Sequence, residues 1–382
     1  MYIYELCARF LEKSKKMKLY NTKETLFFYL TICLFTFMFG YSQNSVSEIN
    51  KKIINISEKY LLKEKIPGMS ISISKNDTLI FSQGFGFSDI ETKVLVNPSK
   101  TKFRMASIAK TMTAITIGKL SELNLINPKN SIYYYLDSLP KKKFDFSIAE
   151  IGGHLSGIRR VPSAEKYSCD NGYTRKDFYN VFEKDELLFE PSTKFEYSNY
   201  GYKLLGLLIE KITGKTIIES HNNFIINVIG IKNTIPEQLE KDNETSKFYV
   251  EIKNKIENAP CLDCTFKHSQ GCYLTTTEDL VVLGNAYLFP DRLLNKETLV
   301  ELIKSKKLKN GTKTNYGFGF ETYKDINGNY YYGHNGGYLG SRSLLRIYPN
   351  SKIVISIMTN RDIKDIDNFA TELAKHYIAN IK

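Results

Sequence analysis

Residues 103–120 read FRMASIAKTMTAITIGKL, with Ser107 and Lys110 three apart at the opening of a stretch with helical apolar spacing. On a helix, residues at that separation are neighbours, about 5–6 Å between β-carbons, so the amine can reach the hydroxyl. A serine hydroxyl is a poor nucleophile until something accepts its proton, and an amine accepts it only where burial disfavours the charged form. The amino end of the helix adds unpaired N–H groups and positive potential. A serine cap followed by a solvated lysine would leave the same trace in sequence, and Ser-x-x-Lys recurs at Ser72, Ser99, Ser138 and Ser163. Context separates them. Ser72 lies in an alternating strand pattern, Ser99 and Ser163 each follow a proline, and Ser138 has Pro140 inside its motif, so only Ser107 opens a long periodic helix.

Around this stretch the 382 residues are 42% hydrophobic and 25% charged, the balance of an ordinary folded chain. Residues 26–39, LFFYLTICLFTFMF, form an apolar run behind Lys18 and Lys23 and ahead of Gly40 and Ser42. The run predicts a signal peptide over residues 1–42, with Met17 a second candidate start, and a periplasmic or secreted location. An uncleaved membrane anchor is the alternative, although a span needs roughly 20 apolar residues. Without residues 1–42 the net charge of +12 falls to +9, spread along the chain with no dense basic block. That excludes nucleic acid as the expected partner and leaves a solvated basic surface or an anionic cell-wall neighbour.

Four cysteines follow the signal segment, at 169, 261, 264 and 272. The last three, with His268 in CLDCTFKHSQGC (261–272), have the ligand types of a small zinc site, whereas an exported chain favours a disulfide; free thiols are the third reading.

Residues 46–64 predict a helix, and GMSISISKNDTLIFSQGFG (68–86) predicts a hairpin turning at Asn76 and Asp77, with Met69, Ile71 and Ile73 on one buried face. Helical spacing dominates about 106–255, most plainly where Leu204, Leu207, Leu208 and Ile212 share a face that Gly214 terminates. From 329 strands return, followed by an amphipathic helix through Ile366, Phe369, Leu373 and Tyr377. The expected architecture is α/β (α+β): an antiparallel sheet built from both ends of the chain (about 46–105 and 260–382), flanked by helices, with a helical lobe inserted (about 106–259).

Two further segments carry candidate chemistry. FEYSNYGYKLLG (195–206) sets Tyr197, Ser198 and Asn199 ahead of a helix, where a phenol can relay protons and an amide can hold a carbonyl; an ordinary helix start would read alike. GHNGGYLG (333–340) places His334, Gly336 and Gly337 at a strand end, where glycine lets backbone approach a ligand. In this order SIAK, YSN and HNGG resemble the motif set of the serine β-lactamase and penicillin-binding protein superfamily. The Tyr-x-Asn version is that of class C β-lactamases, DD-carboxypeptidases, D-aminopeptidases and related esterases. IGGHLSGI (151–158), QGCYLTTTEDL (270–280), YGFGF (316–320) and MTN (358–360) match the same branch, so the resemblance spans roughly 50–380.

The resemblance implies Ser107 as the nucleophile that accepts the acyl group, with Lys110 and Tyr197 sharing the proton transfers. It implies Asn199 as the group that orients a substrate carbonyl, and the backbone N–H groups of Ser107 and Gly337 as an oxyanion hole. His334 takes the place of the third-motif lysine, a pH-dependent positive charge where a substrate carboxylate would sit, and Cys272 replaces a glycine beside the site. His154 is expected to pack rather than react. No metal or organic cofactor is implied. The expected function is an exported serine hydrolase acting on a peptide, amide or ester, a cell-wall-derived substrate among the candidates. A true β-lactamase and a catalytically inactive cell-wall binding protein are the alternatives.

Overall fold

The structure, a computed structural model, describes residues 47–161, 174–238 and 243–380. The expected signal segment, Ser163 and Cys169 lie outside them. The chain divides into two units, Met1–Lys52 and Ile53–Lys382; of the first, residues 47–52 are described and are helical. No helix among the described residues is long and apolar enough to cross a membrane.

The second unit opens with helical residues 53–63 and is built on an antiparallel sheet of seven strands. Its strands are β1 (Gly68–Lys75), β2 (Thr78–Asp89), β3 (Val94–Leu95), β9 (Glu321–Lys324), β10 (Tyr330–Tyr338), β11 (Ser341–Tyr348) and β12 (Ile353–Thr359), in the order β3-β2-β1-β12-β11-β10-β9. Register joins the two ends of the sequence: Met69 pairs with Thr359, Ile71 with Ile357 and Ile73 with Ile355. The β1–β2 turn falls at Asn76 and Asp77, both at positive φ (49° and 66°), the conformation a two-residue hairpin turn demands.

The serine face of β1 departs from the expected hairpin, whose polar face would meet solvent. Ser70, Ser72 and Ser74 are fully buried beneath helix α6 (Thr277–Leu288). Thr277 Oγ1 bonds the hydroxyls of Ser70 (2.7 Å) and Ser72 (2.8 Å), and Ser74 Oγ donates to Asn285 Oδ1 at 2.7 Å. Small hydroxyls let the helix lie close while their hydrogen-bonding capacity is met inside the layer.

Between the two sheet halves runs the inserted lobe. A 3-10 turn, Ala106–Ile108, leads into α1 (Ala109–Glu122), which packs on α4 (Asn199–Thr213); α2 (Ile148–Gly152), α3 (Arg175–Lys184) and α5 (Ile217–His221) complete the lobe's named helices. α4 starts where Ser198 Oγ accepts the Gly201 N–H (2.8 Å) and stops where Gly214 adopts φ 66°, the left-handed cap that glycine supplies without strain. The helical spacing ends earlier than expected. Residues 235–236, 249–252 and 255–258 are strands β5, β6 and β7, and β5 pairs with β8 (Tyr273–Thr275), which also holds β4 (Phe103–Arg104) immediately before the 3-10 turn. α7 (Lys296–Ile303) packs on α1, and α8 (Ile366–Asn380) lies on β11 and β12.

The segment 316–320 closes the lobe onto the sheet. A β-carbon on Gly317 would fall 2.2 Å from the Leu302 carbonyl and 2.7 Å from that of Ile303, contacts that only backbone movement could relieve. We expect Gly317→Ala to lower unfolding free energy by about 1–3 kcal/mol in chemical denaturation. A variant as stable as the wild type would show that this approach is looser than the structure has it.

Candidate active site

Ser107 sits in the 3-10 turn before α1, reached through Ala106, whose φ of 48° is unusual for a residue with a side chain. Such an outlier persists only where its surroundings hold it in place. Those surroundings are β10 and β11. A β-carbon on Gly336 would fall 2.1 Å from Ser343 Oγ, 2.7 Å from the Met105 carbonyl and 3.0 Å from the Ala106 β-carbon, so the turn is pressed against the glycine strand. Ser343 Oγ also donates to the Met105 carbonyl at 2.8 Å. β9 pairs only with Tyr330–Gly333 of β10. Beyond that point His334–Tyr338 keep β11 as their strand partner, with Gly336 opposite Ser343 and Gly337 opposite Arg342, and no named strand pairs with their other edge.

Lys110 is fully buried one helical turn on from Ser107. Its Nζ is hydrogen-bonded to Ser107 Oγ at 3.1 Å and donates to the Gln270 carbonyl at 3.0 Å. The rings of Tyr197 and Tyr202 stand 4.9 and 5.4 Å from the nitrogen. Burial holds the amine's pKa well below its ordinary value, the Arg160 guanidinium depresses it further, and Glu321 opposes them. The Tyr197 phenol lies close enough to Ser107 for the serine to offset part of the upward shift that burial imposes on it. Its buried oxygen completes no hydrogen bond of standard geometry, nor does Asn199 Oδ1, which sits at the first position of α4.

His154 is tied to the backbone of this second group. Its Nδ1 accepts the Ser198 N–H at 3.0 Å, and its ring packs 4.3 Å from that of Tyr197 and 4.6 Å from that of Tyr316. Burial holds its pKa well below the ordinary value. It therefore fixes the backbone between Tyr197 and Asn199.

His334 corrects an expectation. The side chain is buried, Nδ1 bonds the Asn335 carbonyl at 2.5 Å and Nε2 bonds the Tyr316 hydroxyl at 2.9 Å. A carbonyl can only accept, so Nδ1 carries the proton and Nε2 receives that of Tyr316. Burial, then Lys110, push its pKa down to about 3. At neutral pH it presents no positive charge to a substrate carboxylate.

The cysteine alternatives resolve in part. Cys264 and Cys272 form a disulfide, and Cys261 is also disulfide-bonded. No group of His, Cys, Asp and Glu among the described residues is arranged to hold a metal ion. The Cys264–Cys272 bridge closes the loop whose Gln270 carbonyl meets Lys110 and whose Ser269 carbonyl accepts from Thr113 Oγ1, one turn further along α1 (2.7 Å).

Sequence alone assigns no role to three contributors: the Gln270 carbonyl, Arg160 and Glu321. The first two lie inside or beside matched motifs, QGCYLTT and HLSGI, which mark their place without a role. Glu321 follows YGFGF and pairs with Gly333 at the start of β9.

Comparison with known proteins agrees with this geometry. The family described as Beta-lactamase matches residues 49–377. The human serine beta-lactamase-like protein LACTB, mitochondrial, is 23% identical, with 81% of this chain and 76% of that protein covered. The octameric penicillin-binding protein homologue from Pyrococcus abyssi superposes with a TM-score of 0.75 at 22% identity, over 88% of this chain and 78% of that one. The D-amino acid amidase from Ochrobactrum anthropi SV3, complexed with D-phenylalanine, has a TM-score of 0.75 at 19% identity, over 87% and 99%.

Glu321 gives a pH test. Burial first, then Asp367, push its carboxyl from 4.5 up to about 8 against Asn335, Arg346 and Lys110, and the 24% of the side chain left accessible tempers the shift. Between those two values the folded chain binds more protons than the unfolded one, so stability declines as pH rises through that window. We expect the melting temperature of the wild type to fall more than that of Glu321→Gln between about pH 5 and about pH 8.5. Parallel curves for the two proteins would contradict the buried, protonated carboxyl.

Proposed function

Because the chain belongs to the beta-lactamase family, we propose that it is an exported serine hydrolase that cleaves a peptide, amide or ester bond through an acyl-enzyme on Ser107. The observation that carries this reading is the Lys110 amine, buried, depressed in pKa and 3.1 Å from Ser107 Oγ. Uncharged, it has a lone pair for the serine proton as Oγ bonds to the carbonyl carbon. The oxyanion that forms faces backbone N–H groups of Ser107 and Gly337, each such donor contributing on the order of 10² to 10³ in rate. Lys110 and the Tyr197 phenol then share return of a proton to the leaving group, and water releases the acyl chain by the reverse sequence. Asn199 orients the substrate from the start of α4.

Two observations narrow the reading. The side-chain oxygen of Asn199 is buried and unpartnered, an acceptor that an amide N–H satisfies and a simple ester does not, which favours amide or peptide substrates. The neutral His334 removes the third-motif cation, which argues against efficient hydrolysis of carboxylate-bearing antibiotics by the superfamily's usual route. The inactive-scaffold alternative is disfavoured by the hydroxyl and amine already bonded to each other. Export is supported by the apolar run at 26–39 and by the Cys264–Cys272 disulfide, a bond that oxidising compartments sustain.

A fluorophosphonate probe should label the wild type and fail to label Ser107→Ala. Lys110→Met should label more slowly by about 10² to 10⁴, the usual contribution of a positioned base. Equal labelling of wild type and Ser107→Ala would remove the hydrolase reading.

A further inference from the structure

The neutral His334 leaves a question of charge, since the usual cation of the third motif is missing and Lys110 must lose its own proton to work. Another cation stands beside the reacting groups. Arg160 is exposed and makes no ion pair among the described residues, whereas its neighbour Arg159 is held by Asp185 at 3.3 Å. The Arg160 guanidinium carbon lies 5.7 Å from the centre of the Tyr197 ring, and Lys110 Nζ lies 4.9 Å from the same centre. The guanidinium and the base thus both lie near the same phenol ring.

The backbone that carries Arg160 is fixed to the segment bearing the other substrate-facing groups. The Arg160 carbonyl accepts the N–H groups of Asn199 (2.9 Å) and Tyr200 (3.2 Å). The hydroxyl of Ser198 donates to the Arg159 carbonyl at 2.8 Å. Arg160, Tyr197 and Asn199 are therefore placed as one unit, and two buried polar atoms of that unit, Tyr197 Oη and Asn199 Oδ1, have no hydrogen-bond partner among the described residues. The guanidinium also acts on the reacting groups through its field, depressing the Lys110 amine and the Tyr197 phenol alike.

We propose that Arg160 forms a carboxylate-binding subsite beside Ser107, so that the preferred substrates carry a negative charge close to the scissile bond. A guanidinium offers a planar fork that matches both oxygens of a carboxylate, and this one reaches solvent while lying against the Tyr197 ring. The inference rests on the acyl-enzyme reading and adds the substrate's charge to it. It also moves the expected anion site from His334 on β10 to Arg160, whose carbonyl holds the start of α4.

Boronic acids bond reversibly to a serine oxygen and need no knowledge of the natural substrate. Affinities of phenylboronic acid and its 3-carboxy and 4-carboxy derivatives are measured by competition with fluorophosphonate labelling, in the wild type, Arg160→Gln and Arg160→Lys. We expect at least one carboxylate to bind the wild type about tenfold more tightly than the neutral parent. That advantage should shrink to near unity in Arg160→Gln and return in part in Arg160→Lys, and raised salt should weaken it. Each comparison is a ratio within one protein, so a change in the reactivity of Ser107 cancels. The same ratio in wild type and Arg160→Gln, or no carboxylate advantage in the wild type, overturns the subsite. Failure of the fluorophosphonate to label Ser107 at all would instead remove the hydrolase reading beneath it.

Discussion

A lysine side chain kept from water within hydrogen-bonding distance of a serine is the constraint around which this structure is arranged. An ammonium in that position would be strongly disfavoured without a counter-charge. The groups around it supply little: two aromatic rings, one peptide carbonyl and a carboxyl that is itself pushed toward its neutral form. The opposing charge nearby is positive, from Arg160. These surroundings favour the amine, and an amine beside a hydroxyl is a base beside a nucleophile.

The rest of the fold holds that pair in place. The sheet made from both ends of the chain supplies β10 and β11, against which Gly336 admits the Ala106–Ile108 turn with almost no clearance. The lobe supplies α1 and α4, and His154 ties the start of α4 to the same aromatic cluster that packs on His334. The disulfide of Cys272 closes the loop that brings a carbonyl to the amine. The backbone strain at Ala106 and the unpaired polar atoms of Tyr197 and Asn199 fall within this one region, where a fold tolerates local cost in exchange for a poised site.

Much of this is legible in sequence because it is local. Helical spacing after Ser107, the capping Ser198, the αL glycine at 214 and the Asn76–Asp77 turn each declare themselves within a few residues. What sequence hides is long-range. The serines of β1 alternate as on a half-exposed strand, and only Thr277 and Asn285, some two hundred residues away, bury and satisfy them. His334 looks like a cation until Tyr316 and the sheet enclose it. Arg160 reads as a surface charge, because nothing in HLSGIRR says that its carbonyl will bind Asn199. The strands at 249–258 interrupt the helical region because they pair with each other, a preference that apolar spacing alone does not register.

The charge on one nitrogen decides whether Ser107 has a base beside it, and that charge can be read directly. In protein labelled with 13C at the lysine Cε, the Lys110 resonance is assigned by its disappearance in Lys110→Arg and followed against pH. The structure predicts a midpoint well below the ordinary 10.5, separate from the exposed lysines. A Lys110 signal that titrates with the exposed lysines would mean that an ammonium faces Ser107 at neutral pH, and a lysine base could not be the group that activates the serine.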